Sequence, residues 1–401
     1  MGSSGSLEAL AAAVRHDDVA AARELLAGHP ELTARLNDAL PEASFGATAL
    51  LEAVHRNSRE MVDLLLEAGA DIDARSHWWA GSFGVLDGEH PLVPYLIERG
   101  ARVDAYAAAR HGMLDRLRAL VAQDPAVVRM RGGDGQTPLH VARTVEVAAF
   151  LLDHGAEIDA LDIDHESTPA QYLIRDRPLV AKYLVGRGAR SDILLAAALG
   201  DLALVRKHLE EDPASIETSV SEQDFPKRNP RAGGTIYFWT LGRHQTPQTV
   251  AREFEHDEVL HFLMDRTPDA LKLALACEWG DQAEVERLLS RDPELAGAQS
   301  DRIAERLISA AQAGNVTAVR LMLRTGWPVD TRGNDGATAL HWAAFHGNVE
   351  MVREILRYEP DLTLRDRTYQ GTALEWARYG AENSWKREAG DYAGTIDLLR
   401  Q

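Results

Sequence analysis

The chain has 401 residues, a formal net charge of −19, one cysteine, 45% apolar residues and 6% aromatics. Its normal apolar content excludes wholesale disorder, and no apolar run reaches the ~20 residues that span a bilayer. One cysteine cannot form an internal disulfide, which fits a reducing, cytoplasmic compartment, and the acidic balance argues against sequence-independent binding of nucleic acid.

Met1-Gly2-Ser3-Ser4-Gly5-Ser6 has neither the basic nor the apolar stretch of a secretory signal and reads as a flexible start. Helical pairs of one design follow it. Their second helices end near His29, Gly69, Gly100, Asp124, Gly155, Gly188, Asp212, Thr267, Asp292, Gly326 and Glu359, and a last pair runs to the C-terminus. Early in the chain, Leu64-Leu65-Leu66-Glu67-Ala68-Gly69-Ala70-Asp71-Ile72-Asp73 shows how such a helix closes. Its leucines form a stripe for stacking, and the glycine accepts the left-handed backbone of a helix exit. Thr137-Pro138-Leu139-His140 shows how a pair opens, with a threonine to cap free N–H groups and a proline that fits the first turn. In that unit Arg143-Thr144-Val145 replaces the usual inter-helix turn. Exits at His29-Pro30, Asp124-Pro125, Asp212-Pro213, Asp292-Pro293 and Glu359-Pro360 carry proline, which stops the helix and shortens or removes the connection that follows. The fullest copy of the unit is Gly336-Ala337-Thr338-Ala339-Leu340-His341-Trp342-Ala343-Ala344-Phe345-His346-Gly347-Asn348, whose paired alanines permit close helix approach.

These motifs resemble the ankyrin repeat, in a degenerate, loop-decorated array of bacterial type. The resemblance implies an all-α solenoid of about twelve helix-turn-helix units, since ~33 residues make one unit. It covers residues 1–401 as a single array with few or no regular strands. Such a unit cannot bury its own apolar face, so only the stack has a core. The resemblance also implies that His140 and His341 bond the next hairpin backbone, that Trp342 and Trp376 belong mostly to inter-repeat packing, and that Cys277 is a buried, inert thiol.

Three segments depart from the repeat, at 76–90, 217–244 and 380–392, and they hold four of the eight tryptophans. Ordinary loops are poor in tryptophan. Either these rings plug gaps left by degenerate repeats, or they line a ligand groove; the second reading is preferred for the three loops together. The binding candidates are Trp78, Trp79, Phe83, Tyr237, Trp239 and Trp385 from the loops, with Trp279, Phe345 and Tyr379 from the residues before the inter-helix turns. The same turn positions carry His55, Arg56, Arg110 and His111, a basic strip suited to an anionic partner unless finger carboxylates neutralise it.

No His-Glu-x-x-His, Cys-x-x-Cys, Gly-x-Ser-x-Gly or phosphate-cradling Gly-Lys-Ser/Thr loop occurs, so neither metal nor cofactor is expected. The acidic tip Asp162-Ile163-Asp164-His165-Glu166 aligns with an ordinary finger. The expected function is a rigid concave scaffold that takes a protein segment or small ligand in its groove, as a monomer, with no nucleic-acid or membrane partner. The alternative is a cofactor-independent lyase, hydrolase, isomerase or cyclase using His77, Asp87, Glu278, His346 and Asp391 for acid/base chemistry in a dry aromatic pocket.

Overall fold

A computed structural model describes residues 3–295, 300–333 and 335–400. Met1 and Gly2 of the expected flexible start lie outside these residues, while its remainder is taken into the helix Ser3–Arg15. Among the described residues every regular element is a helix and no strand occurs. None of the helices is long and apolar enough to cross a membrane. The chain forms two compact units: Met1–Leu199 with Val220–Gly242, and Gly200–Ser219 with Arg243–Gln401.

The repeating pair is built by local hydrogen bonds that the sequence encodes. Thr338 opens the helix Ala339–Phe345, and the Nδ1 of His341 accepts the Thr338 N–H at 3.2 Å. The other ring nitrogen donates to the Gly371 carbonyl at 3.1 Å, which ties the helix to the next connection. His140 repeats this arrangement between the Thr137 N–H (3.0 Å) and the Ser167 carbonyl (3.1 Å). Burial holds the His140 pKa down at about 3, so the ring stays neutral and keeps one donor and one acceptor. The expected structural role of both histidines is met. After Gly347, the Asn348 side chain accepts the Met351 N–H and caps the helix Val349–Leu356. Asp18, Ser58, Asp201, Asp281 and Asn315 cap other second helices in the same way. Each such cap is worth about 1 kcal/mol.

Two kinds of exit appear, but Glu359-Pro360 falls with the left-handed exits and not, as expected, with the proline ones: Glu359 itself is left-handed (φ 51°), and no 3-10 turn follows Pro360. At Gly69 the backbone is left-handed (φ 98°), and the Ala70 N–H returns to the Leu65 carbonyl at 2.9 Å. Proline exits fold into short 3-10 turns at Pro30–Arg35, Pro125–Arg129 and Pro213–Glu217. Asp124 and Asp212 cap the latter two through the N–H groups of Ala126 and Ala214. The exit at Asp292-Pro293 runs into residues outside the described set. Where Arg143-Thr144-Val145 replaces the inter-helix turn, the first helix shrinks to the 3-10 turn Pro138–Val141 and Thr144 caps Val145–Asp153.

In the first unit the core includes Leu10, Leu32, Leu50, Met61, Leu65 and Leu96. In the second it includes Leu273, Cys277, Leu288, Leu307, Met322, Leu340, Met351 and Ile355. Cys277 is a buried free thiol, and burial pushes its pKa up to about 12, so it is inert as expected.

Candidate functional site

In the second unit, two neighbouring repeats present aromatic rings from the same two positions of their first helices. Trp342 and Phe345 lie three residues apart on Ala339–Phe345, and Trp376 and Tyr379 are equally spaced on Ala373–Asn383. That spacing puts each pair on one helix face. The helices meet closely because residue 380 is glycine: a Cβ there would lie 2.9 Å from the Phe345 carbonyl carbon and closer still to its oxygen.

The rings interlock edge to face. Trp342 meets Trp376 at 5.2 Å and Phe345 at 5.9 Å between centroids, and Phe345 meets Trp376 at 5.9 Å. Phe345 (8% exposed) and Trp376 (9%) form the floor. Tyr369 (78%), Tyr379 (63%) and Trp385 (66%) stand at the rim. With Arg365, Gln370, Glu375 and Asn383 they enclose an open cleft of about 570 Å³.

Fixed anchors hold these rings. The Trp376 indole N–H donates to the buried Asp366 carboxylate at 2.9 Å, and the N–H groups of Tyr369 (2.6 Å) and Gly371 (2.8 Å) donate to the same side chain. Burial pulls the Asp366 pKa up, but these hydrogen bonds more than offset it, and the carboxyl lies below its usual value. Asp366 is therefore ionised at neutral pH. Trp385 sits between two pinned neighbours. Buried Ser384 hydrogen-bonds His346 at 3.1 Å, and the Lys386 ammonium donates to the Ala313 carbonyl at 2.9 Å, at the end of the helix Arg306–Ala313. Burial and the Lys386 charge hold the His346 pKa down at about 4, so that ring is neutral.

The other candidates are placed apart from this cleft. Glu278 is gripped at both oxygens by the buried Arg306 guanidinium (2.6 and 2.5 Å). Arg252 covers Trp279 at 4.5 Å, and together they border a separate cavity of about 440 Å³ with Arg243 and His244. Asp391 caps the helix Tyr392–Leu399 through the Gly394 N–H (2.9 Å).

In the first unit the loop residues act as struts. Asp87 is buried and bonded to Arg75 (2.5 Å) and to the Gly84 N–H (2.9 Å); burial nevertheless raises its pKa. His77 contacts the Asn37 carbonyl at 3.3 Å. The Trp78 indole donates to Asp134 at 3.0 Å, and its ring packs on Phe45, which also meets Phe83. Arg231 lies over Trp79 at 4.6 Å, joining two of the departures from the repeat. Tyr237 is fully buried with its hydroxyl on Asp192 (2.9 Å), whereas Trp239 is exposed against His165. Glu89 pairs with Arg143 (3.3 Å) and with Arg177, and the Glu166 carboxylate accepts the N–H groups of Arg228 (2.7 Å) and Asn229 (3.0 Å). In the basic strip His55 and Arg56 are exposed, Arg110 donates to the Tyr106 hydroxyl (2.9 Å), and His111 bonds the Leu86 carbonyl (2.8 Å).

The structure thus brings together Phe345, Tyr379 and Trp385 of the expected binding residues. It adds Trp342, Trp376 and Tyr369, the first two of which the repeat pattern assigns to packing. Their signal is the recurrence of tryptophan at one repeat position in two successive units. Among the described residues no group of three or more His, Cys, Asp or Glu side chains is placed to hold a metal ion.

Comparison with known proteins matches residues 273–366 to "Ankyrin repeats (3 copies)" and residues 45–77 and 134–163 to "Ankyrin repeat". The chain is 28% identical over 101 residues to the palmitoyltransferase Hip14 of Drosophila melanogaster, covering 24% of this chain and 16% of that protein. It is 25% identical over 272 residues to the ankyrin repeat and KH domain-containing protein mask-1 of Caenorhabditis elegans, covering 59% of this chain and 10% of that protein. The chain therefore spans less than a fifth of the length of these two curated relatives. The crystal structure of the human ASB11 ankyrin repeat domain aligns at 19% identity and a TM-score of 0.27, covering 74% of this chain and 98% of that one. The repeats that build the aromatic cleft begin within the matched residues 273–366, and the chain carries ankyrin repeats there and at residues 45–77 and 134–163.

Proposed function

We propose that the chain is a binding scaffold that recognises a segment of a partner protein, and that the cleft of Trp342, Phe345, Trp376, Tyr379 and Trp385 is its recognition site. One observation carries this reading: three exposed rings converge above a floor of two buried ones. Exposed apolar side chains scattered singly need no explanation, but a contiguous aromatic patch marks an interaction surface. Ankyrin repeats generally serve protein binding, which supports a polypeptide partner. The anchored Trp376 and Trp385 reduce the side-chain freedom lost on association. The acid/base alternative has no comparable support, since Glu278 is held in an ion pair and Asp391 in a helix cap.

Selection of a displayed random-peptide library on the intact chain, followed by titration of the winning peptides, tests the proposal. Buried aromatic anchors at interfaces are worth about 2 kcal/mol or more. Tyr379→Ala and Trp385→Ala are expected to weaken those peptides roughly thirty-fold while leaving the thermal midpoint nearly unchanged. Peptides that bind both variants as tightly as the original chain refute the site.

A further inference from the structure

Resting on that reading of the cleft, we infer that the group it receives is a cation: the alkylammonium of a lysine-type side chain on a basic segment of the partner. The first support is the lining. Its apolar surface comes from the rings of Trp342, Phe345, Tyr369, Trp376, Tyr379 and Trp385, with no leucine, isoleucine or valine side chain. A pocket for an aliphatic group has no need to be all aromatic, whereas a ring face carries negative charge density that attracts a cation.

The second support is the charge behind the rings. The ionised Asp366 accepts the Trp376 indole N–H, and this pushes electron density into the ring system that faces the cleft. Glu375 adds a second carboxylate at the rim. The one guanidinium there, Arg365, is already engaged by Glu375 (2.9 Å) and by the Gln370 carbonyl. The lining itself holds one carboxylate and one guanidinium, which pair with each other, so the charge behind the rings is that of the Asp366 carboxylate, in a chain of net charge −19 that draws basic partners toward it.

The third support is a contrast within the molecule. Tyr95, Trp79 and Trp279 each carry an arginine over the ring at 4.0 to 4.6 Å. Among the described residues no Arg or Lys of the chain lies over a ring of this cleft.

Choline and its neutral analogue, in which carbon replaces the nitrogen, have the same shape and differ in charge. Titration of the intact chain with each, followed by tryptophan fluorescence, separates charge from shape. Choline is expected to bind about tenfold more tightly, as one cation–π contact of 1–2 kcal/mol implies, and a lysine-rich peptide is expected to displace it. Glu375→Gln keeps the hydrogen bond to the Thr372 N–H that closes the capping box. It is expected to weaken choline several-fold and leave the neutral analogue unaffected. Equal binding of the two molecules, or binding of neither, overturns the assignment of a cation. Choline that the lysine-rich peptide fails to displace overturns the assignment to a protein segment. These outcomes are distinct from failure of the docking site itself, which shows as selected peptides that ignore Tyr379→Ala and Trp385→Ala.

Discussion

Gly380→Ala pits local preference against tertiary packing. Glycine inside a helix costs about 1 kcal/mol relative to alanine, so propensity alone predicts that the change stabilises Ala373–Asn383. The structure predicts the opposite. The new Cβ would stand 2.9 Å from the carbonyl carbon and 3.0 Å from the Cα of Phe345, both backbone atoms of a packed helix. Ordinary contact begins near 3.4 Å, so the helices must separate by several tenths of an ångström or more. Overpacking of this kind costs about 3 kcal/mol at the upper end of its usual range. The net loss is about 2 kcal/mol, which lowers the midpoint by roughly 4–8 °C for a unit of this size. Gly186→Ala is the matching control, because its Cβ meets nothing within 4 Å at the end of the helix Pro178–Gly186. Calorimetry of the two variants and the parent settles the matter. The same separation displaces Phe345 and Tyr379, so peptide affinity is expected to fall with stability. A Gly380→Ala variant that melts higher than the parent refutes the close-approach reasoning.

Three further expectations follow from buried or bridging charges. Arg306→Ala leaves the Glu278 carboxylate half-enclosed without its partner and is expected to cost about 3 kcal/mol in denaturant titration; pairing Arg306→Met with Glu278→Leu is expected to recover most of that loss. His346 has a pKa depressed from 6.5 to about 4, so its contribution is complete above pH 6.5 and is lost as pH falls toward and through 4. The parent is therefore expected to lose about 3 kcal/mol more than His346→Leu between pH 7 and 4, and parallel melting curves across that window would discount the burial of a neutral ring. Glu89→Ala removes a partly exposed pair of ion bridges and is expected to cost less than about 1 kcal/mol, yet to make residues 76–90 the fastest site of limited proteolysis; cleavage elsewhere first argues against Glu89 as the tie that holds this segment.

The repeat architecture was legible because its signals are local. The threonine openings and the glycine exits act within a few residues, the histidines reach only to the next connection, and each behaves as the sequence implies. The 3-10 turns after the proline exits were legible only as interruptions, since their caps depend on Asp124 and Asp212 reaching two residues ahead. The site was less legible because it depends on which rings end up facing solvent. Tyr237 and Trp239 are neighbours in one short helical turn, yet one is core and the other surface. Trp342 and Trp376 occupy packing positions and also line the cleft, two roles that a position-by-position alignment separates. The candidate acids likewise carried no mark of their partners: Glu278 finds Arg306 only once two repeats have stacked.

The bridges made by Glu89 have a consequence for how the first unit comes apart. An array whose repeats touch only their neighbours can lose its ends one repeat at a time. Glu89 instead reaches Arg143 and Arg177, passing over the intervening pair Ala105–Arg110 and Leu114–Gln123. His165 and Glu166 reach forward in the same manner to Gly234, Arg228 and Asn229. Such long-range straps must close before they contribute, which slows folding, and they couple opening at one place to opening at another. The straps therefore favour joint opening of the stretch from Glu89 to Gly234, and the loops that carry them act as the fasteners that set the size of that block.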